Sequence, residues 1–431
     1  MGTLLLTDCY ELRMAASYLR RGMQGLATFS LFVRRLPPER GFLAAAGLED
    51  CLTFLEGFGA DRADTAYLTD IAGITAASAR FTGDVWAVPE GRVVFENEPL
   101  IEVTSPIAEG QLVETYLLNQ ITFQTAIASK AARCRLAAQG RTLVDFGFRR
   151  THGVEAAMAA ARVSAIAGFA ATSNVEGARR YGLATSGTMA HSYVEAFASE
   201  VDAFRAFAED FPDRPTFLVD TYDTEAGVQQ AIRVAQERGL GDAFSVRLDS
   251  GDVDALARRA RRLLDDAACR GAHIFVSGGL DEHDIDTLVR NGAPIDAFGV
   301  GTKMGVSADA PSLDSAYKLV AYDGRPVLKL SAGKSTLPGA KQVFRNLGLG
   351  GDVLGLREEQ LPGRDPLLHP VMIAGRRTTA PDTLPVMAAR LTADLDALPE
   401  SARRIQHPEP VPVLVSGNLE RLRQECAARR V

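Results

Sequence analysis

Between about Arg141 and Thr302, short apolar runs alternate with amphipathic stretches, and six of the apolar runs end alike. Each stops at a small cluster of polar residues and glycine. The first two read Leu143-Val144-Asp145-Phe146-Gly147, with Arg149 and Arg150 just beyond, and Gly168-Phe169-Ala170-Ala171-Thr172-Ser173-Asn174. The next two are Phe217-Leu218-Val219-Asp220-Thr221-Tyr222-Asp223-Thr224 and Phe244-Ser245-Val246-Arg247-Leu248-Asp249-Ser250-Gly251-Asp252. Ile274-Phe275-Val276-Ser277-Gly278-Gly279 and Phe298-Gly299-Val300-Gly301-Thr302 complete the set. Apolar runs of this length with helices on both sides predict buried parallel strands. The helices are expected near His152–Ala167, Ser192–Phe207, Glu225–Arg238, Asp254–Ala268 and Asp281–Asn291. Polar groups gathered at carboxyl-terminal strand ends are what an α/β barrel needs to build one active site from many strand tips.

Outside that stretch the rhythm changes. Asp8 to Arg21 predicts a helix with Leu12, Ala15, Ala16 and Leu19 on one face. Leu26 to Val33 predicts a strand with Ala27, Phe29, Leu31 and Val33 opposing the alternate positions. Gly47–Phe58 reads as a second helix, and Val85–Val103 as three short strands punctuated at Pro89-Glu90-Gly91 and Asn97-Glu98-Pro99. Ile107–Ala138 reads as almost entirely helical. Tyr317–Tyr322 and Pro326–Leu330 predict a hairpin around Asp323-Gly324, Gly348–Pro412 is Gly/Pro-rich with little periodicity, and Leu419–Arg430 predicts a closing helix. The expected fold class is α/β: an irregular α/β barrel over 139–309 and an N-terminal α+β, open-faced-sandwich-like domain over 1–138 with its linking helices. Residues 310–347 are expected to complete that domain, and 348–431 to form a C-terminal extension.

Composition narrows the function. Of 431 residues, 46% are hydrophobic and 23% charged, ordinary values for a globular enzyme. A formal charge of -7 and a pI near 5.6 argue against a general nucleic-acid binder, so an anionic substrate would need a local basic cluster. No long uncharged apolar run predicts a membrane span. Met1 to Asp8 lacks the basic region of a signal peptide. Five scattered cysteines without a Cys-x-x-Cys motif read as reduced thiols of a cytoplasmic protein.

The candidate chemistry sits at the strand ends. Ser277-Gly278-Gly279 and Gly299-Val300-Gly301-Thr302 fit phosphate loops, where glycine lets backbone N–H groups approach closely; tight turns made for packing are the alternative. Alternation puts Arg247 and Asp249 on one face of a strand tip. A guanidinium there holds a carboxylate or phosphate, and Asp249 or Asp252 sugar hydroxyls or a Mg²⁺-bound water; an internal ion pair with Asp252 as helix cap weighs equally. Asp223 or Thr224 is expected as a cap more than as a ligand. Arg149 and Arg150 add positive charge. His191 follows a glycine turn in Ser186-Gly187-Thr188-Met189-Ala190-His191 and precedes a helix, where an imidazole acts as base or nucleophile. His283, among Asp281, Glu282 and Asp284, reads as a solvated first turn. No Cys/His ligand spacing appears, so no metal-ligating residues are assigned.

In order and number these stretches resemble a nicotinate phosphoribosyltransferase, from about Thr3 to Asn346. The matching residues begin with Leu6-Thr7-Asp8-x-Tyr10, Ala27-Thr28-Phe29, Gly41-Phe42, Pro99-Leu100 and Glu114. They continue through Phe146-Gly147-x-Arg149-Arg150, Ala171-Thr172-Ser173-Asn174, the 186–192 turn, Asp220-Thr221-Tyr222-Asp223, Arg247–Asp252, Gly299–Thr302 and Lys341-Gln342-Val343. The resemblance implies that nicotinate and phosphoribosyl pyrophosphate give nicotinate mononucleotide and pyrophosphate with Mg²⁺ and no organic cofactor, in NAD biosynthesis. It implies ATP hydrolysis coupled through a phosphohistidine at His191. Tyr10, supplied by the second subunit of a homodimer with a shared active site, would stack on nicotinate. Thr188, Arg247 and Thr302 would complete the nicotinate and phosphoribosyl site, Asp249 would serve the chemistry beside Arg247, and Arg149 and Arg150 would hold pyrophosphate. Gly278, Gly279 and Gly301 would hold the 5′-phosphate. Gly279 stands where the family often has an acidic residue, and Ala340 and Phe344 where Arg and Tyr are common. The alternatives are a phosphoribosyltransferase for nicotinamide or another pyridine base, or a non-catalytic nucleotide sensor on the same scaffold.

Overall fold

The computed structural model describes residues 3–74, 80–331, 336–347 and 350–429. Of the positions named above, Met1, Gly348 and Arg430 lie outside the described residues. The chain divides into two compact units, Met1–Ser129 with Ala310–Val431, and Lys130–Asp309.

All six apolar runs of the second unit form strands: Thr142–Asp145, Ala171–Thr172, Thr216–Leu218, Ser245–Leu248, His273–Val276 and Ala297–Val300. They build one parallel sheet. Across it the order runs from Ala171–Thr172 through Thr142–Asp145, Ala297–Val300, His273–Val276 and Ser245–Leu248 to Thr216–Leu218. The sheet curls as an open half-barrel, because the two edge strands do not pair with each other. The free edge of Ala171–Thr172 is taken instead by the segment that leads to His191: Thr172 N–H donates to Ala184 O at 3.0 Å and Ser186 N–H to Thr172 O at 3.0 Å.

Helices follow the strands as expected, with two differences. The stretch foreseen as one helix over Ser192–Phe207 is two, His191–Glu195 and Glu200–Asp210, because Ser199 caps the second by accepting from the Asp202 N–H. Val175–Tyr181 is a helix that periodicity did not reveal; seven residues with only Gly177 and Ala178 buried carry too little apolar pattern.

The solvated turn expected around His283 is corrected by the fold. Asp281 caps the helix Glu282–Arg290 in a capping box with Asp284. Glu282 is not solvated: its side chain is 0% exposed and meets Lys130 Nζ at 2.5 Å and Arg133 Nε at 3.0 Å. Burial alone would lower the Lys130 pKa, but Glu282 and then Asp309, at 3.0 Å, raise it above its ordinary value, so the ammonium stays charged. Paired buried charges of this kind hold register among elements that apolar contacts alone leave free to slide.

In the first unit a seven-stranded sheet centres on Leu26–Val33 and Pro99–Pro106, with Ser315–Tyr322 beside the former and Asp84–Ala87 beside the latter, all antiparallel. The alternation expected for Leu26–Val33 fails, since every residue but Leu26 is buried. In the helix Cys9–Arg20, Leu12, Ala15 and Ala16 are buried as expected and Leu19 is exposed. The hairpin turn at Asp323-Gly324 has φ of 49° and 71°, as a type I′ turn requires, and its second strand is only Arg325–Pro326. The helix Arg62–Ala72 escaped the pattern. So did the order in the Gly/Pro-rich stretch, where His369–Ile373 pairs with Asp84–Ala87 and Leu384–Ala397 is helical. Those elements are tied down by buried polar contacts that hydropathy does not register. Arg345, buried, pairs with Asp352 at 2.8 Å and Asp394 at 3.1 Å. The chain closes with the helix Gly417–Ala428. Among the described residues no helix is long and apolar enough to cross a membrane.

Glu282→Ala leaves Lys130 and Arg133 buried without their shared carboxylate. It is expected to destabilise the fold by about 3–5 kcal/mol, read by urea unfolding, whereas a shift below about 1 kcal/mol would reduce the cluster to passive filler.

Candidate active site

Arg247 is the third residue of the strand Ser245–Leu248 and points out at its carboxyl end, and its side chain is only 12% exposed. Its guanidinium is held by four acceptors. Nε–H donates to Ser277 Oγ at 2.8 Å, one terminal nitrogen to Thr188 Oγ1 at 2.9 Å and Met189 O at 3.4 Å, and the other to Asp249 Oδ1 at 2.6 Å. The cation also lies 5.3 Å from the centroid of the Phe146 ring. Ser277 in turn donates to Asp249 Oδ1. Burial pushes the Asp249 pKa up, but the Ser277 hydroxyl and the Arg247 charge outweigh it and hold the carboxyl below its usual range. The Arg247–Asp249 unit is therefore a preformed, internally neutral ion pair. Asp252 caps the helix Val253–Asp266 through the Ala255 N–H at 3.1 Å. The internal ion pair and the Asp252 helix cap, the structural alternative, are both present at this strand tip.

The neighbouring strand exits are pinned just as firmly. Asp145 is buried and accepts from the Gly147 N–H at 2.8 Å and Thr172 Oγ1 at 2.7 Å. A Cβ on Gly278, whose φ is +103°, would lie 2.1 Å from Asp249 O, and one on Gly301 would lie 2.6 Å from Phe146 O. Both glycines are thus required by close backbone packing between strand exits. Gly279, with φ of +73°, faces open space. Thr302 is exposed and opens the short helix Thr302–Gly305.

A cleft of about 480 Å³ opens between these tips, lined by Phe146, Phe148, Arg149, Ser173, Gly187, Thr188 and Arg247. Arg149 and Arg150 sit on the turn Phe148–Arg150, exposed and, among the described residues, without an ion pair. Positive charge is therefore unspent at the first strand exit and paired off at the fourth. Of the residues read from the sequence, Arg149, Thr188 and Arg247 line the cleft, with Asp249 behind Arg247. Arg150, Gly278, Gly279, Gly301 and Thr302 do not line it. Tyr10 belongs to the other compact unit.

His191 begins the helix His191–Glu195, and its Nδ1 is 3.1 Å from Thr221 Oγ1. That engages one ring nitrogen. Beside Thr221 stand acidic groups with distinct duties. Asp223 caps its helix through the Ala226 N–H at 2.8 Å, as expected of a strand-exit carboxylate. Asp220 Oδ2 accepts from the Asp249 N–H at 2.9 Å and Ser250 Oγ at 2.7 Å, while its Oδ1 is buried without a hydrogen bond. Glu200 Oε1 is likewise buried and unpartnered.

Sequence reasoning missed Ser277 as the link between Arg247 and Asp249, Phe146 as the aromatic wall, and Asp220 as the anchor of the Asp249 loop. The signal was available: each lies at the polar end of one of the six apolar runs. Glu200 gave none, because only the tertiary fold brings it to this group.

An arginine-and-carboxylate site at the strand ends of an open α/β barrel, with cationic side chains unspent beside it, defines a phosphate-substrate enzyme scaffold of the type whose loops gather at one barrel end. Residues 141–338 match the nicotinate phosphoribosyltransferase (NAPRTase) family, 5–122 the N-terminal domain of that enzyme and 364–423 its C-terminal domain. The chain belongs to the nicotinate phosphoribosyltransferase family. It is 50% identical to nicotinate phosphoribosyltransferase pncB2 of Mycobacterium tuberculosis over 98% of this chain and 95% of that one. To the Bacillus subtilis nicotinate phosphoribosyltransferase it is 43% identical, over 85% and 79%. The crystal structure of human nicotinic acid phosphoribosyltransferase superposes with a TM-score of 0.86 at 29% identity, covering 97% of this chain and 99% of that one.

Burial, then the nearby Asp223 and Asp220 carboxylates, push the Glu200 pKa up to about 7. Its ordinary unfolded value is about 4.3, so between those pH values the folded state binds more protons and stability falls as pH rises. Glu200→Gln should therefore unfold at a higher temperature than the parent at pH 8, with the difference gone by about pH 4. A difference of equal size at both pH values would show that Glu200 does not titrate there.

Proposed function

We propose that the protein is a transferase of NAD biosynthesis that joins nicotinate to phosphoribosyl pyrophosphate, forming nicotinate mononucleotide and releasing pyrophosphate. The pyridine nitrogen forms a bond to C1 of the ribose as the C1–oxygen bond to pyrophosphate breaks, and that electron pair leaves with the diphosphate. The transition state carries positive charge on the ribosyl ring and negative charge on the departing oxygen. Such chemistry needs cationic clamps, orientation and exclusion of water more than a strong base. The observation that carries the reading is Arg247, held by Ser277, Thr188 and Asp249 at the wall of an aromatic cleft. Four protein acceptors leave one of the five guanidinium N–H groups for the carboxylate of the base, with Phe146 and Phe148 beside its ring, and a neutral amide would not need it. Arg149 and Arg150 supply the uncompensated charge for pyrophosphate. Gly279 and Thr302 flank the 5′-phosphate, with Gly278 and Gly301 keeping the loops close enough to serve it.

Mg²⁺ fits this site as a companion of the diphosphate. Among the described residues no group of three acidic, histidine or cysteine side chains is arranged to hold a metal alone. Asp249 and the unpartnered Oδ1 of Asp220 are hard oxygen donors of the class that holds Mg²⁺ through water. The ion would neutralise the diphosphate as charge develops on it.

The proposal extends to ATP. His191 would accept the γ-phosphoryl group at Nε2, with ADP leaving, and water would later release the phosphate. Thr221 holds the ring at Nδ1, and in the tautomer whose Nδ1–H donates to that hydroxyl the Nε2 lone pair would be free to attack. The working form would be a cytoplasmic homodimer, with Tyr10 of the second subunit stacking on nicotinate.

The test is pyrophosphate release with phosphoribosyl pyrophosphate and Mg²⁺, comparing nicotinate with nicotinamide, each with and without ATP. Turnover of nicotinate raised by ATP is expected, while turnover of nicotinamide alone would overturn the role of Arg247. His191→Ala is expected to lose the ATP stimulation yet keep weak ATP-independent turnover; an unchanged response to ATP would remove the phosphohistidine. Arg247→Ala is expected to raise KM for nicotinate about tenfold to a hundredfold, as loss of a charge-assisted contact does, with a smaller effect on phosphoribosyl pyrophosphate.

A further inference from the structure

The strands His273–Val276 and Ala297–Val300 lie side by side and parallel, so their exits are neighbours. Each exit turns on glycine, Gly278-Gly279 at the first and Gly301 at the second. Lys303, in the short helix Thr302–Gly305, reaches from the second exit to the first. Its Nζ lies 3.1 Å from Asp281 Oδ2 and 2.8 Å from Asp284 Oδ2. Both carboxylates are fixed before Lys303 meets them. Asp281 accepts from the His283 N–H at 3.0 Å and the Asp284 N–H at 3.1 Å, and its own N–H donates to Asp284 Oδ2 at 3.0 Å. That capping box starts the helix Glu282–Arg290 just beyond Gly279. One ammonium thus ties the loop of one strand exit to the loop of the next.

We propose that Lys303 is a positioning residue that holds the Gly279 and Thr302 loops in place and offsets the charge of Asp281 and Asp284, so that the 5′-phosphate of phosphoribosyl pyrophosphate settles between those loops. The proposal rests on the reading of the two loops as the 5′-phosphate cradle. Gly279 has no side chain to pack and faces open space, so the place of its loop is set by its anchors. At one end Gly278 packs on the Asp249 carbonyl, and at the other Asp281 is held by Lys303. Charge demands the same residue. A phosphate monoester carries up to about two negative charges at neutral pH, and two carboxylates beside Gly279 would repel it. Lys303 cancels one of them, and the other is favoured where it stands by the start of the helix. The ammonium of Lys130 is buried and shared between Glu282 and Asp309, so it does not take this part. Burial alone would lower the Lys303 pKa, but Asp284 and then Asp281 raise it above its ordinary value, and the tie stays charged.

The experiment compares Lys303→Met, Lys303→Arg, Asp284→Asn and the double variant Lys303→Met with Asp284→Asn on the full chain, and adds Thr302→Glu to test the cradle itself. The readouts are kcat and the KM for each substrate, at low and at high salt. Lys303→Met is expected to raise KM for phosphoribosyl pyrophosphate about three- to tenfold at low salt and less at high salt, with KM for nicotinate and kcat within about twofold. Lys303→Arg keeps the tie and should stay within about twofold of the parent. Asp284→Asn keeps an acceptor for the cap but removes a charge, so in the Lys303→Met background it should recover about half of the loss or more. A loss that Asp284→Asn does not relieve would overturn the tie and make Lys303 a direct ligand of the phosphate. Equal losses for both substrates would make it a general structural residue. Thr302→Glu sets a carboxylate in the second loop and should raise KM for phosphoribosyl pyrophosphate more than any Lys303 variant. If it does so while Lys303→Met changes nothing, the tie fails and the cradle stands. If Thr302→Glu itself leaves that KM unchanged, the phosphate lies elsewhere and the proposal falls with its premise.

Discussion

The guanidinium of Arg247 is the interaction on which the strand-end face of the half-barrel depends. It ties together Ser277, Asp249, the Thr188–Met189 turn and the Phe146 ring, which belong to separate strand exits and to the segment that follows the sheet edge. A cation this enclosed is tolerated only when its donors are met, so each partner is constrained to one place. The close backbone packing at Gly278 and Gly301 follows from the same requirement: the exits must lie against one another for one side chain to reach them all. Asp220, which holds the Asp249 N–H and the Ser250 hydroxyl, extends the lattice to the turn that carries Thr221 and hence His191.

Charge is separated across this face although the chain as a whole is negative. Arg247 and Asp249 cancel. Arg149 and Arg150 do not, and they stand exposed at the first strand exit. Acidic groups gather at the third exit, where Asp220 and Asp223 flank Thr221, the partner of His191, and act on Glu200. An exposed cationic pair and an acidic cluster create different local fields, and separate strand exits keep them from cancelling.

Buried ion clusters play the matching part in the scaffold. Glu282 with Lys130 and Arg133, and Arg345 with Asp352 and Asp394, set where helices and strands lie relative to their neighbours within each unit. These clusters were invisible to hydropathy because their members read as surface residues. Glu282 in particular sits in an acidic run that has every mark of a solvated helix start, yet its side chain is fully enclosed.

The sequence by itself determined the six parallel strands, most of the helices between them and the list of residues gathered at the strand ends. Those features are written in local periodicity, and a strand buried on both faces needs only a short apolar run bounded by turns. It also carried the family resemblance, because motif order survives without any knowledge of distance. Only the tertiary structure decided that the sheet stays open, with the 184–186 segment along its edge in place of the Thr216–Leu218 strand. It alone paired Arg247 with Asp249 through Ser277, buried Glu282, split the helix after His191 and gave order to the Gly/Pro-rich C-terminal stretch. Each of those outcomes rests on a contact between residues far apart in the chain, and whether a polar side chain is solvated or enclosed is settled by what packs against it, which periodicity does not encode.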